Sequence, residues 1–304
     1  MMRSAWARRG ERGNGFVLRL MFWISLDLAR AVGRVLLKPI ALYFYLTDRP
    51  ARRASRLFLE RALGRPVGRG EVYRHFSTFS AVAFDRAIFL AQRADDYRID
   101  IHGLEHVVAR IEAGQGCILL GAHVGSFEVL RKLGRFAPVS VRPLMFRSEA
   151  GVLSRMLDDI DPGMRDAVID IERPEAMLKV RDCLAEGDLV GILGDRIPSG
   201  HRFVTMPFLG GQAAFPTGPL LIASLLKAPV LLFSGLWIAE KHYEIRFEPF
   251  AESIELRRSR RTEDLAVWVE RYAARLETTA RAHPFNWFNF YDFWEHPQHA
   301  AMRS

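Results

Sequence analysis

From residue 15 the chain runs "GFVLRLMFWISLDLARAVGRVLLKPIALYFYL". At about 100° per residue, Arg19, Asp27, Arg30, Arg34 and Lys38 fall within an arc of roughly 100°, and nearly everything else is apolar. The longest uncharged run is far short of the ~18 apolar residues of a spanning helix. The pattern predicts a helix in the headgroup plane, its cationic edge toward an anionic membrane surface. Packing on the domain's own core, or a tilted span with snorkelling charges, are the alternatives. Pro39 is expected to kink or stop the helix. Residues 1–47 therefore read as an N-terminal membrane-associated segment, and 48–304 as a single domain with a helical lead-in over 51–95.

That lead-in contains "ARRASRLFLERAL", the Gly/Pro-marked break "GRPVGRG", and "EVYRHFSTFSAVAFDRAIFLAQR". The periodicity then changes. "IDIHGLEHVVARIEAG" reads as a short strand and a helix, and "CILLG", "VSVRPLMF", "DLVGILGD", "PVLLFSGLW" and "HYEIRFEPF" read as strands. Helical spacing lies between them in "VLSRMLDDI", "PEAMLKVRDCLAEG" and "PTGPLLIASLLKA". The alternation predicts an α/β fold, with a mostly parallel central sheet flanked by helices. A last helix, "TEDLAVWVERYAARLETTARAH", leads into the aromatic ending "PFNWFNFYDFW".

At 304 residues and 49% hydrophobic, the chain can bury one large core, and 26% charged residues argue against a disordered composition. The formal net charge of +8 suits a polyanion, an anionic membrane or phosphorylated carriers. Its basic residues are spread along the chain with no basic-aromatic RNA-binding motif and no zinc-finger spacing, so no nucleic-acid partner is expected. Cys117 and Cys183 lie in apolar stretches and read as reduced thiols. Arg3, Arg8, Arg9 and Arg12 precede no small-residue cleavage site, so no secretory leader is expected.

Ligands of open α/β sheets gather at the carboxyl ends of the strands. Four polar residues follow such ends: His123 after "CILLGA", Arg147 after "PLMF", and Asp195 with Arg196 after "LVGILG". In "HVGSFE", His123 and Glu128 would diverge by about 140° on one helix. With His123 in the turn, Gly125 at the bend and Ser126 as N-cap, the carboxylate reaches back to the ring. Such a pair suits a general base, the acid fixing the tautomer. The spacing alone is a weak motif that leaves an ordinary loop histidine open. Ser126 lacks the G-x-S-x-G elbow of a nucleophile. No dinucleotide fingerprint follows the first strand, and "GHRF" around His201 has no metal-ligand spacing, so no metal is expected.

The strand–turn–"HVGSFE" unit resembles the H-x4-D/E box of the glycerolipid acyltransferase superfamily. The wider pattern is similar to its lipid A late-acyltransferase branch. An amphipathic front helix and helical lead-in precede the box, and "LVGILGDRIPSGHRFVTMPFLGGQAAFPTGPLLIASLLKAPVLLF" follows it. The likeness covers roughly residues 15–295. The ending "NWFNFYDFW" resembles a subgroup associated with aryl polyene lipids, and Arg196 stands where the family often has Gln.

The resemblance implies acyl transfer from an acyl carrier protein or coenzyme A thioester to a hydroxyl of a lipid or glycolipid. The protein would act as a monomer at the cytoplasmic face of a bacterial inner membrane. It implies His123 as base, Glu128 as its orienting acid, and Asp195 as a second partner of the histidine or an acceptor-binding group. Arg147 (from "MFRSEAG"), Arg196 and backbone amides near Gly125 and Ser126 would bind the substrate and developing oxyanion. The thioester is a co-substrate, and no bound cofactor is expected. A non-catalytic lipid-binding scaffold with the same fold is the alternative.

Overall fold

The computed structural model describes residues 30–135, 140–148 and 167–295. Residues 15–29 of the front segment and the expected helix "VLSRMLDDI" lie outside the described residues. Three helices open the described chain: α1 (Arg30–Thr47), α2 (Arg49–Leu63) and α3 (Arg69–Leu90). Then follow β1 (Arg98–His102), α4 (Leu104–Glu112), β2 (Cys117–Gly121), a 3-10 helix (Glu128–Arg135), β3 (Val141–Met145) and β4 (Ile169–Asp170). The second half holds α5 (Ala176–Ala185), β5 (Leu189–Leu193), a hairpin of β6 (Phe203–Phe208) and β7 (Gly211–Pro216), and α6 (Gly218–Leu226). It ends with β8 (Val230–Ala239), β9 (His242–Ala251) and α7 (Arg261–Ala282).

Seven strands form one sheet in the order β1-β9-β8-β2-β5-β3-β4. Every pairing is parallel except β8 with β9, which are joined by a tight turn. The mostly parallel sheet expected from the alternating pattern is thus present. β2 is buried along its whole length between β5 and β8, as its uninterrupted apolar sequence requires. One core fills the face toward α2, α6 and α7, with Ile118, Leu120, Val190, Ile192 and Val269. A second fills the face toward α3 and α4, with Leu119, Leu189, Leu231, Ile245, Val107 and Ile88. The carboxyl ends of β2 and β5 sit side by side at the centre, Gly121 opposite Leu193.

α1 differs from expectation in two ways. Pro39 does not stop it, and the helix continues to Thr47. The bond that Pro39 cannot make would go to the carbonyl of Val35, and both residues face solvent, where water can satisfy that oxygen. Arg34 also points inward. Its side chain is 13% exposed, pairs with Asp85 and Glu240, and donates to the Tyr97 hydroxyl at 2.9 Å. The cationic edge expected to face headgroups is, at this position, a buried counter-ion. The outer face of α1 carries Val35, Leu42, Tyr43 and Leu46 instead.

Asp85 explains that inversion. It is buried on α3 and accepts hydrogen bonds from the hydroxyls of Tyr97 and Tyr243. Burial pushes its carboxyl up to about 6, against the pull of the tyrosines and Arg34. An acid raised in the folded state stabilises the fold fully only below its unfolded value, and that contribution is lost as pH rises through the folded value. Lowering the pH from 7 to 5 should therefore shift the stability difference between wild type and Asp85→Asn by about 1 kcal/mol in favour of wild type. The double comparison cancels other groups, among them buried His75, which is lowered to about 4 and acts in the opposite sense. Urea unfolding of both proteins at the two pH values measures it, and an unchanged difference would contradict the assignment.

Candidate active site

Past Gly121 the chain leaves the sheet through Ala122 and reaches His123, beside the turn that follows β5. The two turns are joined by one carboxylate. Asp195 Oδ1 lies 2.8 Å from His123 Nδ1, and Asp195 Oδ2 accepts from the His123 backbone N–H at 3.0 Å. Trp287 Nε1–H donates to the same Oδ2 at 3.0 Å. Asp195 is buried, whereas 31% of the His123 side chain remains exposed. Burial alone would raise Asp195. The His123 ring, Arg196 and the Trp287 indole outweigh it and hold the carboxyl well below the usual range. An ionised carboxylate only accepts, so Nδ1 carries the ring proton and Nε2 keeps its lone pair. Burial, then the charge of Arg196, lowers His123 below 6.5 despite the attraction of Asp195. The ring is thus neutral near pH 7 and can take a proton at Nε2.

Glu128 occupies a different position from the one its spacing suggested. Its Oε1 is 2.6 Å from Arg86 NH2, and its Oε2 accepts from the Ser126 hydroxyl at 3.0 Å. The acid that orients the histidine is therefore Asp195, from 72 residues downstream. The cause lies in the turn. Gly125 has φ +64°, and a Cβ there would lie 1.8 Å from the Gly235 carbonyl oxygen, so the chain passes directly over β8. Ser126 N–H donates to that oxygen at 2.8 Å, and Glu128 then opens a 3-10 helix rather than the second turn of an α-helix. This tight path turns its carboxylate toward α3.

The same bonds remove the expected oxyanion donors in the turn. Gly125 N–H is used by the Asn286 carbonyl at 2.8 Å and Ser126 N–H by Gly235, while the Ser126 side chain is wholly buried. Neither residue presents a free amide to a substrate. Two cations remain close enough to lower His123: Arg196, half-buried and 3.2 Å from the Phe288 carbonyl, and Arg86. Arg147 sits half-buried in the turn that follows β3. A small open cleft of about 40 Å³ lies beside the turn, lined by Gly121, Ala122 and Val124 with Ser234, Arg246 and Thr279. His123 is not among its lining residues, so this cleft does not hold the ring. Among the described residues, no group of three or more His, Cys, Asp or Glu side chains is placed to hold a metal ion.

The model of the bacterial lipid A biosynthesis acyltransferase family matches residues 70–296. This span includes the His123 turn, both carboxylates and the aromatic ending. The chain belongs to this family. It is an O-acyltransferase of lipid biosynthesis. No curated protein sequence matches it. The crystal structure of the 1-acyl-sn-glycerophosphate (LPA) acyltransferase PlsC from Thermotoga maritima is similar with a TM-score of 0.38 and 17% identity, over 84% of this chain and 98% of that one. A likeness that distant has no bearing on mechanism.

Two residues of the candidate site gave no signal in the sequence. Trp287 reaches Asp195 from 92 residues away, and Arg86 meets Glu128 from α3. Trp287 lay in an aromatic run that reads as core, and Arg86 in an ordinary amphipathic helix. Only the packing of α3 and of the tail against the turn brings them in.

Proposed function

We propose that this acyltransferase moves an acyl chain from a thioester of acyl carrier protein or coenzyme A to a hydroxyl of a lipid or glycolipid, with His123 as general base. The observation that supports this most is the 2.8 Å contact between His123 Nδ1 and the ionised Asp195, which leaves Nε2 as the proton acceptor. As the acceptor oxygen forms its bond to the thioester carbon, Nε2 takes the hydroxyl proton. Asp195 stabilises the resulting imidazolium, and Arg196 faces the negative charge that develops on the carbonyl oxygen. Collapse of the tetrahedral intermediate breaks the carbon–sulfur bond, and the imidazolium proton passes to the departing thiolate. The products are an ester and a free thiol, with no acyl-enzyme. Arg147, in the turn after β3, would contact the acidic part of a substrate.

The reaction would take place at the cytoplasmic face of a bacterial inner membrane. No helix of the described residues is long and apolar enough to cross a membrane. The exposed apolar stripe of α1, Val35, Leu42, Tyr43 and Leu46 with Lys38 alongside, suits a helix lying on the surface. A glycolipid of the lipid A type and an aryl polyene lipid are the acceptor classes to compare.

The test is acyl transfer by the purified protein on mixed vesicles, with each thioester and each acceptor, read by mass spectrometry of the lipids and by thiol release. Ester formation with stoichiometric thiol supports the reading. Thioester hydrolysis without ester, under every pairing, would overturn it. The pH profile adds a check of sign. A histidine lowered in the folded protein stays neutral until the pH drops below its ordinary value, so kcat/KM should be level around pH 7 and fall at a midpoint below 6.5. A midpoint above 6.5 would contradict the assigned base.

A further inference from the structure

The end of the chain is built into the catalytic turn. After α7, residues 286–288 run antiparallel to the histidine segment, with Val124 bridged to Trp287. Gly125 N–H donates to the Asn286 carbonyl at 2.8 Å, and Phe288 N–H donates to the His123 carbonyl at 3.0 Å. The Asn286 side chain is held in turn, accepting from Trp237 N–H at 2.7 Å and donating to the Trp237 carbonyl at 3.1 Å. The Trp287 indole is buried edge-on among Phe58, Phe208 and Phe293, at ring distances of 4.9, 5.3 and 4.8 Å. Its N–H reaches Asp195 Oδ2. Behind it, His75 Nε2–H donates to the Trp287 carbonyl at 2.9 Å, and His75 Nδ1 accepts from the Ser55 hydroxyl at 2.8 Å. Both histidine nitrogens are therefore committed, and a buried row runs from Ser55 through His75, Trp287 and Asp195 to His123.

Resting on the reading of His123 as base, we infer that Trp287 is a positioning residue for the His123–Asp195 pair, and that the C-terminal aromatic stretch belongs to the catalytic machinery. A carboxylate with one oxygen on an imidazole would otherwise be free to rotate about its Cβ–Cγ bond. Here Oδ2 receives two donors, from the His123 backbone and the Trp287 indole, which fixes the carboxylate plane and leaves Oδ1 aimed at Nδ1. The indole also draws charge from the carboxylate, so the catalytic proton stays on the ring and does not move to the acid. Packing against three phenylalanines holds the donor still. A bicyclic aromatic side chain without an N–H fills the same space and does neither.

The test is Trp287→Phe, with 3-benzothienylalanine at position 287 as a second variant that keeps the bicyclic shape and replaces the N–H by sulfur. The readouts are kcat, KM and the His123 ring titration by NMR in the full-length protein. Losing one hydrogen bond to a charged group should lower kcat by roughly ten- to a hundredfold, with KM little changed. It should also move the His123 titration to higher pH, because the carboxylate's charge is less dispersed and stabilises the imidazolium more. Arg86, Arg196, Tyr272 and Tyr291 flank the pair and are unaltered, so the shift reports the missing N–H alone. A merely structural tryptophan would lower the melting temperature and leave the titration unmoved. If the benzothienyl variant matches wild type in kcat and in the His123 titration, the inference fails. That failure is distinct from failure of the base assignment, which the His123→Ala variant tests by itself.

Discussion

Replacing His123 with alanine should lower the acyl-transfer kcat by roughly three orders of magnitude while the protein remains folded. General-base catalysis by a positioned imidazole contributes about 10²- to 10⁴-fold, and the alanine side chain offers no proton acceptor in place of Nε2. Folding should survive because the ring is partly exposed and its removal opens no core cavity. The buried Asp195 carboxylate loses one donor but keeps the His123 backbone N–H and the Trp287 indole N–H, which do not depend on the imidazole. The stability loss should then stay within about 1–3 kcal/mol. Steady-state transfer rates and a thermal melt of the same preparation check both halves. Near-wild-type turnover by this variant would remove His123 as the base.

Asp195→Asn should be almost as damaging, for a reason visible in the hydrogen bonds. Position Oδ2 receives two N–H donors, so the amide oxygen of asparagine must go there. Its NH2 group is then forced against His123 Nδ1. A ring facing a donor at Nδ1 must accept there, which moves the ring proton to Nε2 and occupies the lone pair needed for the acceptor hydroxyl. An inverted tautomer of this kind should cost up to roughly 10³-fold in kcat, close to the loss of the ring itself. KM should change little, because Asp195 is buried and out of reach of substrate. The nitrogen chemical shifts of His123 report the tautomer directly, and an Nδ1–H form retained in the variant would contradict the argument.

Much of this was legible in the residues. The apolar runs at 117–121, 189–193 and 230–239 became the three adjacent central strands, because a parallel strand covered on both faces has to be apolar throughout. Placing His123 and Asp195 after strand ends followed from the same pattern, and the pairing of β2 with β5 makes those ends neighbours. What stayed hidden depended on geometry that spacing does not carry. Glu128 is five residues from His123, but the close pass of Gly125 over Gly235 swings it toward Arg86. The hairpin of β6 and β7 is absent from the strands read in the sequence, since Pro207 and Gly210–Gly211 mask its alternation. Trp287 depends on the length and direction of α7, which set where the tail re-enters. The inward Arg34 depends on Asp85, a single acid within the apolar stretch of another helix.

The central claim is that Asp195, and not Glu128, steers the histidine that activates the acceptor. One side-by-side assay addresses it: the acyl-transfer kcat of Asp195→Asn and Glu128→Gln, with His123→Ala as the floor. Glutamine at 128 can still accept from Arg86 through its amide oxygen and donate its NH2 to the Ser126 hydroxyl oxygen, so that variant should keep a rate at least about tenfold above the floor. Asp195→Asn should fall to within about tenfold of it. The opposite order, with Glu128→Gln on the floor and Asp195→Asn near wild type, would contradict the account.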